Sequence, residues 1–198
     1  METTSPLSDP RLSAALVGAL VVALGWLVSG ARERRRERRR RHERSIDVQT
    51  ALAAEIQHYV DILNNPEFDL KSVWEDIVRR MEADDAYVPL IPSERNDTMF
   101  QSILPDVQIL PEKIIRPVVR YYNQVFAIEA MIEDLRSDQF RSPDTPQQQR
   151  IELYTDYISL KLEALQLGKK ACDVIAENLD PDGASRRINT LGADPSGQ

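Results

Sequence analysis

Twenty residues in succession, Leu12 to Ala31 (LSAALVGALVVALGWLVSGA), carry no formal charge, and RERRRERRRRHER follows at once. As a helix rising ~1.5 Å per residue, the run extends about 30 Å, the thickness of a bilayer's hydrocarbon core. Three placements compete for it. A soluble core helix is rarely apolar all round over this length. A cleaved signal peptide would use Ser29-Gly30-Ala31 as its small-x-small site. It would also need a basic leader, whereas residues 1–11 hold Glu2, Asp9 and only one base, Arg11. The run therefore reads as a transmembrane helix. Ser8 or Asp9 would cap it, Pro10 would open the first turn, and Trp26 would lie near one headgroup layer.

The flanks orient it. Residues 32–44 hold nine Arg and three Glu, a net charge of +6. A positive flank is retained inside. The expected topology is single-pass at the plasma (inner) membrane, with residues 1–11 as a short extracytoplasmic N-terminus and the C-terminal domain cytoplasmic. Ala14, Gly18, Gly25 and Ser29 fall within about 60° on a helical wheel, a face through which two spanning helices could self-associate. Nothing breaks the helix between Arg32 and Asn65, so it is expected to continue as an Arg-rich juxtamembrane stalk over 32–45. Arg32, Arg34, Arg35, Arg36, Arg38, Arg39, Arg40, Arg41 and Arg44 are then placed to contact anionic lipid, at ~1 kcal/mol per base near the surface. Nucleic acid is the other polyanion such a cluster could meet. Residues 46–198, however, carry 15 basic and 27 acidic residues, and no aromatics interleave with the arginines. The expectation is no nucleic acid.

Beyond the stalk, residues 46–180 have the size and pattern of one helical domain. Val48, Leu52, Ile56, Tyr59 and Leu63 form a stripe on a helix from about Ile46 to Asn64. A second helix, about Asp69 to Ala83, is capped by Asp69 and sets Leu70, Val73, Trp74, Ile77, Val78 and Met81 on one face. From Tyr87 to Pro111 four prolines leave a long connection, with a helical turn or two around Glu94–Ile103 and YVPLIP and VQIL as extended candidates. Connections this long in a compact domain are often functional, which makes this one the expected surface for specific recognition. Ile114, Val118, Tyr121, Val125, Ile128, Ile132 and Leu135 then repeat at 4, 3, 4, 3, 4, 3, a coiled-coil-like seam that Pro117 opens or kinks. Thr145-Pro146-Gln147-Gln148 has the form of a capping box for a last helix, about Pro146 to Leu179. That helix carries two apolar stripes, one of them interrupted by Lys161 and Gly168. Residues 181–198 have a disordered composition.

The expected fold class is all-α: a transmembrane helix (12–31), a basic helical stalk, and an antiparallel bundle of about four helices with a Pro-rich connection. Chemistry is not in view. Glu55-x-x-His58 has the i, i+3 spacing of a carboxylate-bundle metal site, but the second such pair and the further glutamates are missing. Cys172, the single cysteine, lies on an apolar stripe. The acidic pairs Glu75-Asp76, Asp84-Asp85 and Glu133-Asp134 diverge by 100° on a helix. No cofactor, no metal and no enzymatic activity are expected. The functional expectation is a membrane-anchored interaction or scaffold module, as a homodimer or with an unidentified protein partner. The alternative is a regulatory or receptor-like subunit coupling a membrane partner to a cytoplasmic response.

Overall fold

The computed structural model describes residues 10–67 and 69–180, without the side chains of residues 10–24 and 28. Its helices are α1 (Pro10–Leu63), α2 (Leu70–Ala83), α3 (Thr98–Ile103), α4 (Glu112–Arg136), α5 (Asp138–Arg141) and α6 (Gln147–Leu179). A 3-10 turn, Leu104–Ile109, follows α3 and takes up the VQIL segment. There is no strand among the described residues, so neither extended candidate pairs. The chain divides into two compact units, Met1–Arg44 and Ser45–Gln198.

Among the described residues no helix is long and apolar enough to cross a membrane. This corrects the reading of residues 12–31 as a transmembrane helix. The side chains described within that run are those of residues 25–27 and 29–31. The single-pass topology, the plasma-membrane location and the integral partnership with a bilayer fall with it. So does the reason for setting the Arg run against a headgroup layer. Membrane anchoring, and the alternative role of coupling a membrane partner to a cytoplasmic response, give way to an all-α fold of about six helices. The proposed extracytoplasmic N-terminus up to residue 9 and the tail 181–198 lie outside the described residues.

The second unit is built on three long helical segments. Val48, Leu52, Ile56, Tyr59 and Leu63 are all buried, as the stripe on residues 46–64 requires. Every member of the α4 seam, Ile114 to Leu135, is buried as well. Pro117 lies within α4 and neither starts nor ends it. Its missing N–H leaves the carbonyl of Lys113 without its intrahelical donor, a loss confined to one turn near the helix start. Cross-helix pairs fix the directions. Gln49 accepts from Asn178 at 2.7 Å, and Lys169 donates to Asn64 at 2.9 Å. The second half of α1 therefore runs antiparallel to α6. Gln124 donates to the carbonyl of Leu160 while Tyr121 meets Gly168, so α4 is antiparallel to α6 too. Trp74 on α2 donates to Thr155 on α6 at 3.0 Å.

Two features of α6 differ from the sequence expectation. Its interruptions belong to its most buried line: Tyr157, Ala164, Gly168, Ala171 and Ile175 are buried and Lys161 is 11% exposed. Small residues occupy the middle because two helices approach there. A Cβ on Gly168 would stand 2.6 Å from Val60 Cγ2 and 3.1 Å from Tyr121 Cε2. Val60 is β-branched and held in one rotamer on its helix, so it gives way poorly. Overpacking of this kind costs ~1–3 kcal/mol against up to ~1 kcal/mol gained in helix propensity. Gly168→Ala is expected to lower the unfolding free energy by ~1–2 kcal/mol in a urea titration, despite alanine's helical preference. The second difference is the cap. Thr145 donates its hydroxyl back to the carbonyl of Gln139 at 2.6 Å, and Pro146 occupies the cap position of α6 without a side-chain bond. By contrast Asp69 caps α2 as expected, accepting from the backbone N–H of Ser72 at 3.0 Å.

Candidate functional site

The segment between α2 and α4 crosses the second unit without regular structure until Thr98, and polar side chains of the bundle hold it in place. At its start Arg150 donates to the carbonyl of Asp85, and Gln147 to that of Met81 in the last turn of α2, each at 2.5 Å. Further on, Glu94 enters the bundle. It accepts from Tyr59 of α1 at 2.9 Å, Tyr157 of α6 at 3.2 Å and Lys161 of α6 at 2.5 Å. The two side chains of the ion pair are 18% and 11% exposed. Lys161 Nζ also lies 4.9 Å over the Tyr157 ring. Burial, and next the Glu94 charge, push the hydroxyls of Tyr59 and Tyr157 far above the ordinary tyrosine range, so both stay protonated donors.

Glu55 does the corresponding work at α3. It accepts from the backbone N–H of Met99 at 2.6 Å and of Phe100 at 3.1 Å, and from the Tyr122 hydroxyl at 2.6 Å. A carboxylate at the start of a short helix satisfies donors that the helix cannot satisfy itself. Phe100 then stacks on Tyr122 with ring centres 3.9 Å apart. This is the structural use of the Glu55-x-x-His58 pair: Glu55 is a cap supplied from another helix, and His58 is exposed. Among the described residues no group of His, Cys, Asp and Glu could hold a metal ion.

Fastened this way, residues 93–97 form one wall of a cleft of about 510 Å³ whose other wall is α4. Ser93, Glu94, Arg95 and Asp97 face Glu129, Ile132, Glu133 and Arg136. Asp97 is 4% exposed. Its Oδ2 accepts from Gln101 at 3.0 Å, but Oδ1 has no hydrogen bond, and neither does the buried Oε1 of Glu129. The nearest cation to Asp97 Oδ1 is Arg95 Nε at 3.5 Å, on a side chain 78% exposed. Burial, and then the charges of Asp97 and Glu133, raise the Glu129 carboxyl above the ordinary range, while Arg95 pulls the other way. The cleft thus concentrates negative charge that the fold neutralises only in part.

The residues singled out from the sequence are distributed differently. Arg32, Arg34, Arg35, Arg36, Arg38, Arg39, Arg40, Arg41 and Arg44 are all exposed on α1 in the first unit. Of the small-residue face, the side chains of Ala14 and Gly18 lie outside the described residues. Gly25 and Ser29 are exposed, and a Cβ on Gly25 would meet nothing within 4 Å. Cys172 is half-buried, and burial ahead of the Asp173 and Asp61 charges pushes its thiol up to about 11, which suits a core residue and not a nucleophile. Nothing local in the sequence marks Asp97, Glu129 or Glu94. The one signal for them was Lys161, a charge in an apolar stripe, which calls for a buried counter-charge. No protein-family model, no curated protein and no solved structure matches the chain.

Proposed function

We propose that the chain is a non-catalytic helical interaction module whose cleft between residues 93–97 and α4 receives a basic side chain, Arg or Lys, from a partner protein. The observation that carries this reading is that Asp97 and Glu129 both line the cleft, and each has a buried carboxylate oxygen, Oδ1 and Oε1, without a hydrogen bond. A buried polar group left without its hydrogen bond costs ~1–3 kcal/mol. A guanidinium or ammonium group supplies both the missing N–H donors and the opposite charge. Arg95 already stands near the position such a group would take, and its exposed side chain can give way at little cost.

The test uses the full chain and N-acetyl-arginine amide as the probe. Titration followed by NMR is expected to show saturable shifts at Asp97 and Glu129 that weaken as salt is raised. Asp97→Asn combined with Glu129→Gln is expected to reduce affinity at least tenfold, ~1.4 kcal/mol. Non-saturating shifts, or equal affinity in the double variant, contradict the reading.

A further inference from the structure

A second charged feature lies on another face of the same unit, and it stands independently of the cleft. Arg116 and Arg120 are one helical turn apart on α4, and with Lys170 of α6, Pro117 and Leu167 they line a small cavity of about 50 Å³. Like charges at i, i+4 on a helix repel, and here a third cation is added from a neighbouring helix. The close approach of α6 to α4 at Gly168 and Tyr121 brings them together. Among the described residues none gives Arg116, Arg120 or Lys170 an ion pair or a hydrogen bond. That is notable in a stretch, 46–198, where 27 acidic residues outnumber 15 basic ones and counter-ions are easy to supply.

We propose that Arg116, Arg120 and Lys170 form a receptor for a dianionic phosphate group. Two planar guanidinium forks can each take two phosphate oxygens, and the ammonium adds a point charge. The size of the cavity restricts the ligand. Sites for whole small molecules run to ~300–1,000 Å³, so this one admits a single charged head while the rest of the ligand lies outside. Phosphate suits three cations better than a carboxylate does, since it brings up to two charges and three acceptor oxygens. The acidic excess of residues 46–198 as a whole works against a nucleic-acid backbone, which needs an extended basic surface. A phosphorylated side chain of a partner protein and a free phosphate share the recognised chemistry.

The experiment titrates the full chain with acetyl-Gly-phosphoserine-Gly-amide, its unphosphorylated twin, inorganic phosphate and a short single-stranded oligonucleotide, at fixed low salt. The expected result is saturable binding of the phosphorylated tripeptide, none of the twin, and at least a tenfold loss in Arg116→Gln and in Arg120→Gln. Lys113→Gln, a base on the same helix outside the cavity, is expected to bind like the parent. The thermal midpoints of the arginine variants should match the parent, which separates lost binding from lost folding. Tighter binding of the tripeptide than of inorganic phosphate assigns the site to a phosphorylated side chain, and the reverse order assigns it to free phosphate. Either order supports a phosphate receptor. The proposal is overturned if the tripeptide and its twin bind alike, if Arg116→Gln and Arg120→Gln keep full affinity, or if the oligonucleotide displaces the tripeptide.

Discussion

Ile128→Asp is expected to abolish the cooperative thermal transition of the second unit. Ile128 is 2% exposed at the centre of an α4 face in which Ile114, Val118, Tyr121, Val125, Ile132 and Leu135 are buried as well. An aspartate there puts a carboxylate where no donor or cation waits for it, a cost of several kcal/mol. A domain of this kind has a total stability of ~5–15 kcal/mol, so the change removes most or all of the folded population. The control is Glu133→Gln, five residues further along α4 and exposed, which should shift the midpoint by an amount corresponding to less than ~0.5 kcal/mol. Near-ultraviolet circular dichroism through a thermal scan distinguishes the two. A parent-like transition in Ile128→Asp would mean that the α4 seam is not core.

Lys161→Met is the second large effect. Removing one member of a buried ion pair strands the other, and such changes cost ~3–5 kcal/mol. Glu94 keeps its bonds from Tyr59 and Tyr157, which places the expected loss near the lower end, ~3 kcal/mol. The diagnostic is the second substitution. Glu94→Gln added to Lys161→Met removes the stranded charge and keeps an acceptor for both tyrosines, so the double variant should recover most of the loss. A coupling energy of 1 kcal/mol or more in this cycle, read from urea titrations, is expected for partners in direct contact. Simple additivity would show that the two residues do not meet. Because Glu94 also pins the wall of the cleft, the single variant should weaken binding of N-acetyl-arginine amide, and the double variant should restore it in part.

The parts of the fold that could be read in the sequence are those where one helix buries one face. The α4 seam repeats at heptad spacing and is buried throughout; Asp69 precedes an amphipathic stretch and caps it. Sequence pattern misleads where the decisive partner is distant along the chain. Lys161 and Gly168 looked like breaks in a stripe because a lysine and a glycine are poor core residues by type. Lys161 is largely withdrawn from solvent because Glu94 comes 67 positions away to meet it, and position 168 is a glycine because Val60 leaves no room for more. Thr145 and Pro146 have the composition of a capping box, yet the hydroxyl finds the carbonyl of Gln139 instead. Hydropathy and length give the uncharged run Leu12–Ala31 the character of a spanning helix, yet among the described residues no helix is long and apolar enough to cross a membrane.

The candidate site was legible only as a region. The prolines and length of Tyr87–Pro111 marked a connection fit for recognition, but composition does not say which carboxylates it brings together. Glu55 and Glu94 are unremarkable glutamates until tertiary contact makes one a cap for α3 and the other the anchor of the cleft wall. Asp97 and Glu129 face each other across 32 positions of sequence, a pairing that no local periodicity encodes.

A titration of the Glu129 side-chain carboxyl by carbon NMR, in the full chain with and without N-acetyl-arginine amide, bears most directly on the proposed function. In the free protein burial and the neighbouring Asp97 and Glu133 charges raise this group, so it is expected to hold its proton to higher pH than an ordinary glutamate. Between the ordinary glutamate value and that raised one the folded state keeps a proton the unfolded chain has lost, so the group's contribution to stability declines as pH rises across that window. A bound guanidinium favours the charged carboxylate and should draw the titration back down, with a midpoint that saturates as the probe is added. A carboxyl that titrates as an ordinary glutamate and does not respond to the probe would contradict the cleft as a receptor for a basic side chain.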